Sequence, residues 1–157
     1  MGLHILGTGS YMPEKILTND DYKEFIETND EWIRTRTGIS SRHIATGEPT
    51  WYMGAEAAKE AIRAAGIDPA EIGLVIDTSV THDYATPSTS CIIQRETGAV
   101  NAACFDLNAA CAGFVYAMDM AHRFLKTEDE PKYALVVANE QLSKITNYED
   151  RSSCILF

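Results

Sequence analysis

The stretch Ala103-Cys104-Phe105-Asp106-Leu107-Asn108-Ala109-Ala110-Cys111-Ala112-Gly113-Phe114 passes from a short apolar run into a helical pattern. Ala103 to Leu107 reads as a strand. From Ala112 to Leu125 the apolar residues Val115, Met118 and Ala121 recur at helical spacing. A strand that turns directly into a helix is the unit from which layered α/β sheets are built. The flanking sequence repeats the pattern. Ile72-Gly73-Leu74-Val75-Ile76-Asp77 and Tyr133-Ala134-Leu135-Val136-Val137-Ala138 are apolar along their whole length, as expected of strands covered on both faces.

Working outward, Pro87-Ser88 opens a helix that runs through Ile92, Ile93 and Glu96 to Gly98. Pro49-Thr50 opens another, with Met53, Ala57, Ala61 and Ala64-Ala65 at helical spacing and Gly66 as its stop. Asp68-Pro69-Ala70-Glu71 has the character of a helix start ahead of the strand at Ile72. Nearer the amino terminus, Leu3 to Leu6 followed by Gly7-Thr8-Gly9-Ser10 reads as a first strand and its turn. Thr18-Asn19-Asp20-Asp21 offers N-caps for a short helix through Phe25 and Ile26, and Thr28-Asn29-Asp30-Glu31 for one through Trp32. Ser152-Ser153-Cys154-Ile155-Leu156-Phe157 reads as the beginning of a further strand, and the abrupt apolar end suggests a fragment of a longer protein. The fold class expected is therefore α/β, a mostly parallel mixed sheet with helices on both faces, formed by one domain without internal repeat or linker.

The 157 residues are 45% hydrophobic, enough for a sizeable core. No apolar run is long enough to span a bilayer, and the first residues lack the basic and apolar regions of a signal peptide, so a cytoplasmic location is expected. A net charge of −10 argues against nucleic acid or a membrane surface as a partner. One window runs against that balance. Trp32 to His43 contains Arg34, Arg36, Arg42 and His43 with no acid, which invites a phosphate or an acidic partner.

The four cysteines, Cys91, Cys104, Cys111 and Cys154, fit neither a zinc pattern nor a disulfide framework, so no metal is expected and each is core filler or a nucleophile. Cys111 differs in position, since it lies where the strand turns into the long helix. Backbone N–H groups and the positive end of the helix dipole gather there, and both favour negative charge on sulfur. The small neighbours Ala109, Ala110, Ala112 and Gly113 leave room for an acyl chain. A thiol used in acyl transfer also needs a proton-handling partner, normally histidine. None of His4, His43, His82 and His122 is obviously placed for that.

In their order along the chain, Gly7-Thr8-Gly9-Ser10 with Pro13, Asp30-Glu31-Trp32-Ile33, Thr35-Arg36-Thr37-Gly38-Ile39, Arg42-His43, Ala109-Ala110-Cys111-Ala112-Gly113-Phe114, Tyr133 to Val137 and Asp150-Arg151 resemble the β-ketoacyl-acyl carrier protein synthase III family. The resemblance spans the chain. It implies a thiolase-like fold of two similar halves, with residues 1–157 as the amino-terminal one, the carboxy-terminal half as a partner, and a homodimer. It further implies an acyltransferase that initiates fatty acid synthesis. An acyl-CoA would acylate Cys111, and malonyl-acyl carrier protein would then be condensed onto the acyl group with loss of carbon dioxide. Coenzyme A would enter as the substrate's thioester, with no separate cofactor.

By the same resemblance Trp32 and Arg151 would hold the adenine, Arg36 a phosphate, and Thr28 and Thr37 would line the entrance. Thr86 stands where well-known members have an aromatic residue before the proline, which implies an acyl pocket of different depth and primers other than acetyl. The nucleophile motif would equally suit a 3-hydroxy-3-methylglutaryl-CoA synthase or a polyketide or quinolone starter enzyme. A non-catalytic half that only dimerises is the alternative from a different class.

Overall fold

Strands and helices alternate where the apolar patterning places them. In the computed structural model, which describes residues 2–127 and 133–157, the order is β1 (Ile16–Thr18), α1 (Asp30–Thr37), β2 (Ser41–His43), α2 (Thr50–Ala65), β3 (Ile72–Thr78), α3 (Thr89–Thr97), β4 (Ala103–Leu107), α4 (Gly113–Thr127) and β5 (Tyr133–Ala138). Single 3-10 turns lie at Asp21–Glu24, Pro69–Glu71, Ala110–Ala112 and Leu142–Lys144. Local chemistry sets the ends. Asn29 accepts from the Trp32 N–H at 2.8 Å to start α1, Ser88 from the Cys91 N–H to start α3, and α2 stops at Gly66, whose φ of 66° is left-handed.

The described residues form two compact units. The first comprises the residues up to Tyr11 together with Pro49–Glu140. Its sheet has the order β4-β3-β5 with every neighbour parallel, so Val75 lies opposite both Cys104 and Leu135. Alternation along β3 explains why its sequence is apolar throughout. Val75 packs with Ala55, Ala58 and Ile62 of α2 and Ile93 of α3, while Leu74 and Ile76 pack with Ala117 and Ala121 of α4 on the opposite face. Each of the valine, leucine and isoleucine side chains, taken fully out of water, contributes about 1.5–3 kcal/mol, and each alanine methyl about 0.8 kcal/mol.

The second unit comprises Met12–Glu48 and Gln141–Phe157. β1 and β2 pair antiparallel with Leu17 opposite Arg42. Its core joins Tyr22 and Ile33 to Cys154 and Ile155, and the rings of Tyr22, Phe25 and Tyr148 contact one another.

Three expected elements differ. Leu3 to Leu6 forms no strand, since it pairs with none of the strands, and its exposed side chains line a cavity of 540 Å³ together with residues of α2, α4 and β5. The short helix through Phe25 and Ile26 is reduced to the 3-10 turn Asp21–Glu24. Ser152 to Phe157 is not a strand. Asp150 accepts from the Ser152 N–H and from the hydroxyls of Ser152 and Ser153, which curls the start of the segment. Farther on, the carbonyls of Ile155 and Phe157, which a ladder would use, accept from the Arg42 guanidinium at 2.9 and 2.7 Å.

Candidate functional site

β4 delivers the chain to Asn108, and Ala110 then adopts φ 45°, the one non-glycine residue with positive φ among those described. For an alanine this costs on the order of 1–2 kcal/mol. The 3-10 turn Ala110–Ala112 follows and runs into α4, which holds the Cys111 side chain at the surface just before the helix. The other cysteines are placed differently. Cys104 lies in β4, where burial first, then the neighbouring Cys91, pushes its thiol up to about 11. Cys154 is buried, and desolvation raises its thiol as well. Cys91 is exposed, but on the side of α3.

Gly113 fixes the depth at which α4 begins. A Cβ at this position would overlap the hydroxyl of Thr78 and stand 3.1 Å from its Cβ, at the end of β3. Thr78 is itself buried. Gly113→Ala is therefore expected to destabilise the chain by about 1–3 kcal/mol, as overpacked interiors do. Urea unfolding measures this, and an unchanged midpoint would show that α4 moves freely at its entrance.

The histidines lie elsewhere. His82 Nε2 lies 3.5 Å from Asp106 Oδ2, His43 Nδ1 donates to the Pro13 carbonyl at 2.6 Å, and His4 and His122 line the cavity beside the amino-terminal stretch. None of the four is hydrogen-bonded to Cys111 among the described residues. That cavity is lined by Phe114 and Met118 of α4 but not by Cys111. Thr86 is exposed in the loop after β3, joined to Pro87 by a cis peptide bond.

At the carboxyl ends of the strands lies a polar group that the sequence reading did not single out. Asp77 is fully buried at the end of β3, and Asn139 Nδ2 donates to its Oδ1. Burial first, then the neighbouring Asp106 and Glu140 carboxylates, pushes Asp77 up to about 8. Glu140 accepts from the Val80 N–H at 2.7 Å and the Thr81 hydroxyl at 2.5 Å, tying the loop after β3 to the end of β5. The available signal was the single acid closing an otherwise apolar strand.

In the second unit, α1 presents Trp32 half-buried with two guanidinium groups on its ring, Arg36 at 4.3 Å and Arg151 at 4.0 Å from the centroid. Arg36 also donates to the Trp32 carbonyl at 3.1 Å. The Thr37 hydroxyl donates to the Ile33 carbonyl at 2.9 Å, and the Thr28 hydroxyl is buried with no hydrogen-bond partner. The basic window is less available than its sequence suggests. Arg42 is buried over the Tyr22 ring and bonds Asn19 and two carbonyls, and Arg34 pairs with Asp30 at 3.4 Å. Arg36 remains as the arginine of that window turned to the indole.

No helix among the described residues is long and apolar enough to cross a membrane. Residues 105–157 match the family model of 3-oxoacyl-[acyl-carrier-protein (ACP)] synthase III. Over 155 residues the chain is 52% identical to the β-ketoacyl-[acyl-carrier-protein] synthase III of Clostridium acetobutylicum and 49% identical to that of Clostridium botulinum strain Langeland, covering 99% of this chain and 47% of each relative. The crystal structure of the Aquifex aeolicus 3-oxoacyl-[acyl-carrier-protein] synthase III superposes with a TM-score of 0.95 at 46% identity, over 99% of this chain and 50% of that one. The priming β-ketosynthase of the R1128 polyketide pathway superposes with a TM-score of 0.92 at 42% identity, over 98% and 46%. The fold expected from the sequence, thiolase-like α/β, is that of these structures. Spanning about half the length of the curated relatives it matches, the chain belongs to the 3-oxoacyl-[acyl-carrier-protein] synthase III family.

Proposed function

We propose that Cys111 is the acyl-accepting thiol of a condensing enzyme that starts fatty acid synthesis in the cytoplasm. Its sulfur attacks the thioester carbonyl of an acyl-CoA, the C–S bond to coenzyme A breaks, and the acyl group remains on Cys111. Malonyl-acyl carrier protein then loses carbon dioxide, and its α-carbon forms a bond to the acyl carbonyl. The product is a 3-oxoacyl thioester on the carrier protein, and Cys111 is released. The observation on which this rests is an exposed thiol held by a strained turn at the entrance of α4, in a chain close to relatives named for this reaction.

Trp32, Arg36, Arg151, Thr28 and Thr37 are assigned to coenzyme A in this reading. Two guanidiniums already lie on the Trp32 ring, and the buried Thr28 hydroxyl has no partner within the protein. An indole face and a guanidinium suit a purine, and arginine suits phosphate. By the family resemblance, decarboxylation falls to groups of the carboxy-terminal half, in a homodimeric protein, and in keeping with this none of the four described histidines is hydrogen-bonded to Cys111. A starter enzyme of polyketide type is the second reading, favoured by the likeness to the R1128 priming ketosynthase and by the small Thr86.

Incubation with a panel of acyl-CoA primers followed by intact mass and peptide mapping tests both. One acyl increment on the Cys111 peptide is expected, with branched or longer primers transferred faster than acetyl. Acetyl as clearly the best primer would remove the assignment of Thr86, and no increment with any primer would remove the acyl acceptor.

A further inference from the structure

Asp77 of β3 lies directly opposite Asp106 of β4, so the parallel register sets two carboxylates side by side. Neither is paired with a lysine or arginine among the described residues. Each carboxylate is oriented by neutral donors. Asn139 Nδ2 donates to Asp77 Oδ1, and the Thr89 and Ser90 N–H groups donate to Asp106 Oδ2 and Oδ1 at 2.7 and 2.8 Å. Asp77 is 0% exposed, and its second oxygen, Oδ2, has no hydrogen-bond partner. His82 Nε2 is also buried without a hydrogen bond, 3.5 Å from Asp106 Oδ2. One donor atom from each of Asp77, His82 and Asp106 lies within 4.8 Å of the others. Glu140 adds a further acid at the same edge, bonded to Ser79, Val80 and Thr81.

An acidic group alone would not be a site. What separates this one is a fully buried carboxylate with an unpartnered oxygen and an unpartnered imidazole nitrogen, on residues whose donor atoms gather within 4.8 Å of one another and of Asp106. Unmatched buried oxygen atoms of this kind are costly. We propose that Asp77, His82 and Asp106 bind a divalent transition-metal ion, with water completing its coordination. Two oxygens and one imidazole nitrogen, with no sulfur, suit zinc or manganese rather than the thiolate-preferring metals, and the imidazole disfavours magnesium and calcium. Ligand atoms about 3.3 Å apart surround a tetrahedral zinc, a contraction that small side-chain rotations supply. The ion joins β3, the loop after it and β4. Neither Cys111 nor the coenzyme A residues take part in it. Cysteine spacing carries no trace of this site, since its donors are oxygen and nitrogen from separate elements.

Calorimetric titration of zinc chloride into chelator-stripped protein with alkylated thiols tests the site, with zinc content checked by mass spectrometry. One ion per chain is expected, with affinity reduced at least about tenfold in both His82→Ala and Asp77→Asn. His82 is only partly buried, so the first variant decides the matter if the second fails to fold. Absence of saturable uptake, or uptake unchanged in His82→Ala, overturns the proposal and leaves a shared proton on Asp77 as the means by which the carboxylates coexist. In a parallel titration with cobalt(II), the visible spectrum should show bound ion without thiolate charge transfer. The spectrum of the free aqua ion would overturn it equally.

Discussion

Cys111→Ser is expected to lower acyl transfer from acyl-CoA by at least about 10³-fold while leaving the fold unchanged. The substitution is nearly isosteric at an exposed position, so packing is not at issue. What changes is the nucleophile. A thiol supplies a useful fraction of thiolate near neutral pH, whereas a serine hydroxyl requires a base in contact with it. No histidine among the described residues is hydrogen-bonded at this position to serve as that base. Cys91→Ser is the matched comparison, because Cys91 is also exposed but lies along α3 rather than at a helix entrance. Its acyl uptake should equal that of the unsubstituted protein. Quenched-flow uptake of labelled acyl groups measures both, and a Cys111→Ser protein that still acylates at near-normal rate would eliminate the assignment.

Asp77→Asn should make the chain more stable at alkaline pH, by up to about 5 kcal/mol, with little gain at pH 4. The carboxyl ordinarily titrates at 3.8 and, in the folded chain, at about 8, chiefly through burial. Between those values the native state holds a proton that the unfolded state has released. Stability therefore falls with rising pH across the window, by up to about 1.4 kcal/mol per pH unit, and the whole penalty is in force above pH 8. Below 3.8 both states are protonated and the penalty vanishes. Asparagine retains the oxygen that accepts from Asn139 and carries no charge to desolvate. Urea unfolding at pH 5, 7 and 9 with a chelator present checks this. Parallel pH profiles for the two proteins would mean that Asp77 does not ionise as its surroundings require.

Elements whose stability comes from their own neighbours were readable in the sequence. β3, β4 and β5 fall on the apolar runs, and α2 stops at the expected Gly66, because burial and capping are local signals. Cys111 was readable for the same reason, as a strand-to-helix junction is visible in a few consecutive residues. Leu3 to Leu6 and Ser152 to Phe157 failed because a strand needs a partner, and apolar composition does not say whether one is beside it. Nor could composition show that Arg42 turns inward: its three acceptors are Asn19, Ile155 and Phe157, far from it in the chain. The pairing of Asp77 with Asp106 depends on register between two strands, which no single stretch encodes.

The parallel direction of the sheet gives the first unit two unlike edges. Cys111, Asp106, Asp77 and Glu140 all lie at or just beyond the carboxyl ends of their strands, whereas the turn that carries the chain into β4 opens at the other end, where Val100 is 72% exposed. Such polarity separates the end of the sheet that carries the proposed acyl-accepting thiol from an end that carries none of the residues assigned to it. A fluorophore, an affinity handle or a surface tether attached at position 100 would hold the first unit by the end of its sheet opposite Cys111, leaving that thiol exposed to solution.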